Sequence, residues 1–288
     1  MKTIGIVGNG FVGSSVAFGF SPQCGCDGAD VKIYDKDESK STHSLSDTLD
    51  SDFIFVSVPT PSNADGSISL KIVFECFDEI NLLNPRKDNV ILLRSTVTPG
   101  TTRKLKNKFR NLNIVFNPEF LTERSAKFDF INQARFIVGG KKRDTDKVEE
   151  LFRWRFGYTT PIIKTTYETA ELIKYMNNCF FATKVSFINE MRQIADACGV
   201  DWEQAVEGFI RDGRIGHTHL QVPGPDGKFG FGGSCFPKDV QAMINFAKQN
   251  GVAPNVLKGT WETNLDVRPE RDWEKLLGRS IVDGEENE

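Results

Sequence analysis

The feature that most constrains the fold of this chain is the glycine-rich segment GNGFVG at residues 8–13, which follows an apolar run and opens a helix-like segment. Glycines at this spacing permit a tight turn, close approach of the backbone to a pyrophosphate, and close packing of a helix on a strand. Asp35 stands about 20 residues further on, where a carboxylate can bind a ribose hydroxyl and repels a 2′-phosphate. The alternative, a glycine-rich turn without a ligand, is disfavoured by the strand, the spacing and the acid together. The segment predicts a dinucleotide site that favours NAD over NADP, and the candidate cofactor-binding residues are Gly8, Gly10, Phe11, Val12, Gly13 and Asp35.

Short apolar segments alternate with helix-like segments through the first 165 residues, a pattern typical of a parallel sheet covered on both faces. The predicted strands are residues 3–7, 30–35, 53–58, 89–95, 113–118, 135–140 and 161–165. Segments with helical character, notably 68–82 and 101–110, lie between them. The predicted fold class is α/β, with a Rossmann-like NAD-binding domain over residues 1–165.

Ligands of such sheets bind beyond the carboxyl ends of the strands, and three polar segments of this chain fall there. Thr60 and Pro61 follow the third predicted strand, and Ser95 and Thr96 follow the fourth. The segment 117–119, Asn-Pro-Glu, follows the fifth. Thr60 alone fits a plain proline turn equally well, but the three segments together extend the predicted cofactor pocket.

Residues 168–198 predict one long helix, because the segment has no proline and a glycine comes only after its end. Its apolar residues recur close to the helical period, at Leu172, Met176, Phe180, Phe187, Met191 and Ile194. A helix of this length joins domains or forms a homodimer interface. We predict a helical domain over residues 166–278, with an irregular loop at 211–238 and helices at 239–250 and 253–278. Residues 279–288 are predicted to be a frayed acidic tail.

Composition excludes several classes of function. A net charge of −3 leaves no global basic surface for nucleic acid. The sequence has neither an apolar run long enough to span a membrane nor a signal peptide, so we expect a soluble cytoplasmic protein. The six cysteines are expected to be reduced thiols. No metal site is predicted, because Cys24 and Cys26 lack partner ligands and the His217–His219 pair reads as loop residues.

The segment 231–239, FGGSCFPKD, is the strongest candidate for chemistry. Its glycines allow a ligand to approach closely, and Cys235 stands just before a predicted helix, whose N-terminus favours a thiolate. Taken alone, a single loop cysteine is more often structural. Asp239 is a candidate N-cap or base.

Lys174 and Asn178 are four residues apart and share one face of the long helix. Without other information, a solvated helix edge is the favoured interpretation of this pair. A lysine and an asparagine could instead hold a sugar hydroxyl or stabilise a developing alkoxide.

Six ordered blocks resemble the nucleotide-sugar 6-dehydrogenases, the UDP-glucose/GDP-mannose dehydrogenase family, over about residues 1–270. The blocks are GIVGNGFVG, VSVPTP, RSTVTPGTT, NPEFLTE, ETAELIKYMNNCFFATKVSFINE and GFGGSCFPKD. Phe236 in the last block is more similar to the UDP-glucose branch than to the GDP-mannose and N-acetylmannosamine branches. The resemblance implies oxidation of a sugar C6 alcohol to a carboxylate with two NAD⁺, without release of the aldehyde.

The resemblance also implies residue roles. Cys235 would be the nucleophile that carries a thiohemiacetal and then a thioester. Lys174 and Asp239 would serve acid/base and oxyanion roles, and Thr96 and Glu119 would position a water. The further implied contacts are Glu123 near the nicotinamide, Lys40 near the adenosine ribose, and Glu119, Phe120, Leu121, Lys174, Asn178, Arg214, Phe231 and Gly232 at the substrate, with Arg214 reaching it across a dimer interface.

This chain departs from the family pattern in two places. Typical members carry a third, nucleotide-binding domain, so the resemblance implies a short form that lacks it, and the stretch between Arg214 and Gly232 is longer than usual. The predicted activity is that of a UDP-glucose-oxidising enzyme. The alternatives are the same chemistry on GDP-mannose or UDP-N-acetylmannosamine, or a non-catalytic NAD-binding assembly protein. Two-electron β-hydroxyacid dehydrogenases share the strand–helix plan but need no thiol.

Overall fold

The computed structural model describes residues 1–122 and 124–283. Their contacts divide the chain into two compact units. The first unit consists of Met1–Thr60 with Leu70–Lys174, and the second of Pro61–Ser69 with the residues from Tyr175 onward. The division at 165/166 predicted from the sequence remains a prediction.

The first unit is built on one seven-stranded sheet, in the order β2-β1-β3-β4-β5-β6-β7. Its strands are β1 Lys2–Val7, β2 Ala29–Tyr34, β3 Phe53–Val56, β4 Val90–Leu93, β5 Ile114–Phe116, β6 Phe136–Gly139 and β7 Ile162–Thr165. All seven predicted strands are confirmed, and so is the α/β class. The sheet is not wholly parallel, because β6 runs antiparallel to β5, through the pair Phe116 and Gly139.

Both faces of this sheet are covered by helices. The helices are α1 Phe11–Gly19, α2 Leu45–Leu49, α3 Lys71–Leu82, α4 Thr101–Lys108, α5 Ala126–Ile131 and α6 Lys142–Phe156. Successive side chains of a strand point to opposite faces, so Ile54 and Val56 of β3 pack with α2, α3 and α4, while Phe53 and Phe55 pack with α1, α5 and α6. The double coverage accounts for the unbroken apolar runs that the sequence shows in these strands.

The predicted long helix is confirmed as α7, Tyr167–Cys198. Its first two turns belong to the first unit, where Glu171 is fully buried. The Glu171 carboxylate accepts the backbone N–H groups of Gly100 and Thr102, at 2.6 and 2.7 Å, and so caps α4 from another element. Burial raises the pKa of Glu171 to about 7, in spite of these hydrogen bonds.

The second unit continues α7 and adds three helices, α8 Trp202–Ile210, α9 Phe236–Gln249 and α10 Asn255–Val267. The helix predicted at 239–250 begins three residues earlier, because Pro237 fits the first turn of a helix, where its missing N–H costs nothing. The helix predicted at 253–278 ends at Val267, two residues before Pro269, which cannot continue it. Residues 272–275 form a separate 3₁₀ turn that buries Trp273.

The prediction of a frayed tail from residue 279 is wrong for its described part, residues 279–283. Ser62 donates its N–H to the Ser280 carbonyl and accepts the N–H of Val282, each at 2.9 Å. Ser280 is buried as a result. Backbone pairing within the second unit therefore fixes a segment whose polar sequence shows no such constraint.

Across the described residues, none of the helices combines the length and apolar character needed to cross a lipid bilayer. All six cysteines are unpaired thiols.

Candidate active site

The glycine-rich turn of the first unit has the geometry that its sequence predicts. Gly8 adopts a φ of +89°, and a Cβ there would lie 2.4 Å from the Ser57 carbonyl oxygen. A Cβ on Gly13 would lie 1.8 Å from the Gly8 carbonyl oxygen, so neither position tolerates a side chain. At Gly10 no described atom lies within 4 Å of a Cβ. Gly8 and Gly13 are therefore needed by the fold, whereas Gly10 leaves the turn open to a ligand.

Helix α1 begins at this turn with Phe11 and Val12, and its N-cap is Gly10, which has no side chain to cap it. An uncapped helix N-terminus offers backbone N–H groups and a positive partial charge to a phosphate. The side-chain oxygen of Asn9 is buried and has no hydrogen-bond partner within 1–122 and 124–283. These observations fit a pyrophosphate bound at the turn.

Asp35 follows β2 and lies beside the same turn. Its carboxylate accepts the N–H of Asn9 at 2.6 Å and the N–H of Asp37 at 2.9 Å. Lys40, in the 3₁₀ turn that follows, pairs with Asp37 at 2.9 Å, and its carbonyl accepts the Asn9 amide. Asp35 and Lys40 therefore lie beside the turn, and their contact with a ribose stays a prediction.

We expect Asp35→Ala to weaken NAD⁺ binding about tenfold to a hundredfold, because a charged acceptor for the ribose hydroxyls is lost. The measurement is a calorimetric titration with NAD⁺ and, separately, with NADP⁺. The ratio of NADP⁺ affinity to NAD⁺ affinity should be higher for the variant than for the parent. Asp30→Ala, at the start of the same strand, is the matched control. Unchanged NAD⁺ affinity in Asp35→Ala would remove Asp35 from the site.

The segments after β3 and β4 are joined by Ser95. Its hydroxyl donates to the Val58 carbonyl at 2.7 Å and accepts the Val58 N–H at 3.0 Å. Ser95 is buried and fixes the two strand ends to each other, while Thr96 next to it is half-buried. Thr60 is buried at the end of the first unit's opening segment, and Pro61 belongs to the second unit. Contact of these four residues with the cofactor stays a prediction.

Lys174 is buried, with 2% of its surface exposed, so the interpretation as a solvated helix edge is wrong. Its ammonium donates to Oε1 of Glu119 at 2.8 Å and to the Glu119 carbonyl at 2.7 Å. The second carboxylate oxygen of Glu119 accepts the N–H of Leu121 at 2.7 Å. Two buried charges are thus held together by complementary hydrogen bonds, the arrangement that a charged pair needs inside a protein.

Arg94, which the sequence did not single out, and Asn117 of the predicted 117–119 segment hold Glu119 in place. Arg94, just after β4, is fully buried between the rings of Phe55 and Phe130 and donates to the side-chain oxygen of Asn117. Burial lowers the pKa of Arg94 to about 10. Asn117 in turn donates to the Ile137 carbonyl at 2.8 Å. An arginine at the end of an apolar strand could have signalled a buried polar network.

The Lys174 ammonium also lies 5.6 Å from the centre of the Phe120 ring, and the Arg135 guanidinium lies 4.4 Å from the same ring centre. Phe120 and Leu121 are half-buried. Glu123, predicted to lie near the nicotinamide, is outside the described residues.

Cys235 is the N-cap of α9 in the second unit and is half-buried. Its sulfur lies 3.8 Å from the Ser234 hydroxyl. Asp239 is therefore not the N-cap, because the helix already begins at Phe236 and Asp239 lies inside its first turns. A thiol at a helix N-terminus is stabilised as thiolate, the form that attacks carbon.

The other cysteines lack this setting. Burial raises the pKa of Cys76 to about 12, and it raises the pKa values of Cys26 and Cys179 as well. Cys198 is exposed at the C-terminus of α7, where the helix dipole disfavours an anion. Cys24 lies against the carbonyls of Phe18 and Gly19, and the Arg155 guanidinium donates to its sulfur at 2.9 Å. Of the six thiols, Cys235 is the one at a helix N-terminus, and that position makes it the candidate nucleophile.

Asp239 is buried and is held by two side chains of its own unit. Asn178 of α7 donates to Oδ2 at 2.6 Å, and Lys238 donates to Oδ1 at 2.6 Å. Lys238 is itself buried, with 7% of its surface exposed. The sequence reasoning missed Lys238, although a lysine directly before a candidate acid was a visible signal.

The glycine-rich loop before Cys235 is held by side chains that the sequence did not reveal. Asn264 of α10 accepts the Phe231 N–H at 2.7 Å and donates to its carbonyl at 3.0 Å. A Cβ on Gly232 would lie 2.4 Å from the Arg268 guanidinium, so a side chain at this position would have to displace that buried arginine. The Phe231 ring is buried against Phe236. The ring and both backbone polar groups of Phe231 therefore already have partners in the second unit, and contact of Phe231 with a substrate stays a prediction.

The two loop positions predicted between α8 and α9 differ in setting. Arg214 is exposed and pairs with Asp212 of the same loop. His219 stacks on Phe181 at a ring distance of 4.2 Å, and burial lowers its pKa. The described residues contain no group of three or more histidine, cysteine or acidic side chains that could hold a metal ion.

Two regions of the chain match the UDP-glucose/GDP-mannose dehydrogenase family, residues 39–155 its NAD binding domain and residues 168–266 its central domain. UDP-glucose 6-dehydrogenase AglM of Haloferax volcanii is 32% identical over 323 aligned positions, which cover 98% of this chain and 73% of that protein. UDP-glucose 6-dehydrogenase of Rickettsia bellii is 37% identical over 74% of this chain and 49% of its own length. The chain thus spans about half the length of several relatives.

A solved structure is similar as well. The UDP-glucose dehydrogenase of the archaeon Pyrobaculum islandicum superimposes with a TM-score of 0.80 at 28% identity, over 92% of this chain and 68% of that one. The family match and the open turn at Gly10 agree that NAD is the cofactor of the first unit.

Proposed function

We propose that this chain, which belongs to the UDP-glucose/GDP-mannose dehydrogenase family, oxidises the C6 alcohol of UDP-glucose to a carboxylate. The observation that carries the proposal is Cys235 at the N-terminus of α9, in a chain whose first unit has an NAD-binding turn. A thiol there has no use in a two-electron alcohol oxidation, but a four-electron oxidation needs a covalent handle for the aldehyde. The names of the relatives support UDP-glucose as the sugar.

Bound NAD⁺ supplies a hydride acceptor in each of two rounds. After the first, the Cys235 thiolate adds to C6 of the aldehyde, forming a C–S bond while the carbonyl oxygen takes a proton. Loss of the C6 hydrogen as the second hydride, together with loss of the hydroxyl proton, turns this thiohemiacetal into a thioester. Water then adds at C6 and expels the thiolate, which releases the carboxylate and leaves Cys235 unchanged.

We assign stabilisation of the developing alkoxide to Lys174 of the first unit. A buried ammonium stabilises a developing alkoxide strongly, because little water screens it. Glu119, already oriented by Lys174 and by the N–H of Leu121, would position the hydrolytic water together with Thr96. Phe120 and Leu121 would contact the sugar beside them.

We assign proton transfer to Asp239 of the second unit. Both its oxygens are oriented, one by Asn178 and one by Lys238, so Asp239 can exchange a proton without rearranging. Asn178 would also hold the substrate. Phe231 and Gly232 would line the sugar site, with Arg214 contributed from a partner subunit.

The first test is to measure NADH formed by the purified chain with NAD⁺ and, in turn, UDP-glucose, GDP-mannose and UDP-N-acetylmannosamine. Two NADH per UDP-glucose consumed is the expected result. One NADH per sugar would mean an alcohol dehydrogenase that stops at the aldehyde. Turnover of GDP-mannose or UDP-N-acetylmannosamine alone would identify that nucleotide sugar as the substrate. NAD⁺ binding without turnover of any sugar would favour a non-catalytic assembly protein.

We further propose a homodimer formed through α7. Met176, Phe180, Phe187 and Ile194 are spaced by four, seven and seven residues, so they lie on one face of the helix. Each of the four has between 49% and 62% of its surface exposed. Four large apolar side chains in one exposed stripe are typical of an interface between chains. A cytoplasmic location fits this enzyme, because reduced thiols persist there.

Phe180→Asp combined with Phe187→Asp is expected to turn the dimer into monomers of 32.3 kDa, because two carboxylates would have to be buried at the interface. Light scattering after gel filtration measures the mass. Val252→Asp with Val256→Asp, exposed apolar residues near and on α10, is the matched control and should leave the dimer intact. A parent protein with the mass of one chain would refute the proposal.

A further inference from the structure

A second cleft lies in the first unit, with a volume of about 380 Å³. Its walls come from α4, from the starts of α6 and α7, and from the residues that follow β6 and β7. The lining residues are Arg103, Lys106, Asn107, Arg110, Gly140, Lys141, Thr166 and Tyr167. Four of these eight are cationic and none is acidic.

This cleft is remote from the NAD-binding turn, as the sheet topology shows. The turn follows the carboxyl end of β1. Strands β1, β3, β4 and β5 are neighbours in that order and all run parallel. Gly140 and Thr166 follow the carboxyl ends of β6 and β7, and β6 runs antiparallel to β5. The cleft therefore opens at the opposite end of the strands and belongs to a separate site.

The positive charge of the cleft is only partly neutralised. Arg103 pairs with Glu168 on the rim. Lys106 is half-buried, and its ammonium donates to the carbonyls of Arg110 and Leu112, at 2.8 and 2.5 Å, which are neutral acceptors. Burial lowers the pKa of Lys106, and the charges of Lys141 and Arg143 lower it further. The charge of Asp144 raises the pKa of Lys106, but Asp144 is buried and already pairs with Arg143.

The backbone adds to the positive electrostatic potential of the cleft. Lys141 is the N-cap of α6, a helix of 15 residues, and no side chain caps that end by a hydrogen bond within the described ranges. The first turn of α6 therefore begins at the cleft wall, where helix N–H groups favour an anion. The Thr166 hydroxyl, which lies 2.9 Å from that of Thr169, provides a neutral hydrogen-bonding group on the other side.

We propose that this cleft binds the phosphate groups of a small phosphorylated molecule, at a site separate from the NAD and sugar sites. A concave space of this volume suits a small ligand, whereas an extended polyanion would need a long basic surface. Arginine and lysine at its walls are the side chains that bind phosphate oxygens most strongly.

Inorganic pyrophosphate is the probe, titrated calorimetrically into NAD⁺-saturated protein at ionic strength held constant with sodium chloride. NAD⁺ occupies the turn near Gly10, so added pyrophosphate reports on other sites. Arg110→Ala with Lys141→Ala removes two cations and keeps both backbone carbonyls. Lys87→Ala with Lys104→Ala is the matched control, because it removes the same charge from exposed positions outside the cleft.

The expected result is one saturable pyrophosphate site, weakened about tenfold or more in the cleft variant and by less than about twofold in the control. No saturable binding to the parent, or equal weakening in both double variants, would overturn the proposal. If the chain fails to bind NAD⁺, which would contradict the proposed function, the same comparison without NAD⁺ still tests the cleft, because only the cleft variant alters it.

Discussion

Cys235→Ala is expected to lower the rate of uronate formation about a thousandfold or more while NAD⁺ affinity stays within about twofold of the parent value. Without the thiol, the aldehyde has no covalent attachment and the thioester cannot form. The NAD-binding turn lies in the other unit and contains no part of α9, so cofactor binding has no reason to change. The measurements are NADH yield, uronate yield and calorimetric NAD⁺ titration.

Cys198→Ala provides the control for this experiment. It removes an exposed thiol at the C-terminal end of α7 and should leave the rate unchanged. Cys235 is half-buried at a helix N-cap, and alanine there removes only the sulfur, so the variant is expected to fold. Uronate formation by Cys235→Ala at the parent rate would refute the covalent mechanism, whereas loss of NAD⁺ binding in the same variant would indicate a folding defect.

The elements that the sequence predicts well are those set by local rules. Seven strands, the glycine turn and α7 all follow from apolar periodicity and from glycine placement, which act over a few residues. The direction of β6 could not be predicted, because it depends on where the short helix α5 returns the chain to the sheet. The ordered segment 279–283 escaped prediction for a related reason, since it pairs with Ser62, more than two hundred residues away in sequence.

The candidate site shows the same division. Cys235, Lys174 and Asp239 can be named from the sequence, but their protonation chemistry depends on partners that only the fold supplies. From the sequence alone, a solvated helix edge is the favoured interpretation of Lys174, and only the structure brings Glu119 to it. Spacing identifies candidate groups, whereas burial and pairing decide what those groups can do.

Lys174→Met is expected to destabilise the protein by about 3–5 kcal/mol, because it leaves the buried Glu119 carboxylate without its counter-charge. Methionine fills the space of the lysine stem, so little of the loss comes from a cavity. Denaturant unfolding measures the difference. Lys184→Met on the same helix is the control, since its ammonium donates to the neutral Ile215 carbonyl at 3.2 Å, and it should cost only about 1 kcal/mol.

The double variant Lys174→Met with Glu119→Gln separates the structural role of Lys174 from its chemical role. Glutamine keeps an oxygen for the N–H of Leu121 and removes the unpaired charge, so the double variant should lose about 1–3 kcal/mol less than the sum of the single variants. Its kcat should stay about a hundredfold or more below the parent, because no cation is left to stabilise the alkoxide. Recovery of stability together with full turnover would show that Lys174 acts only in folding. Stability of Lys174→Met within about 1 kcal/mol of the parent would contradict the buried pair itself.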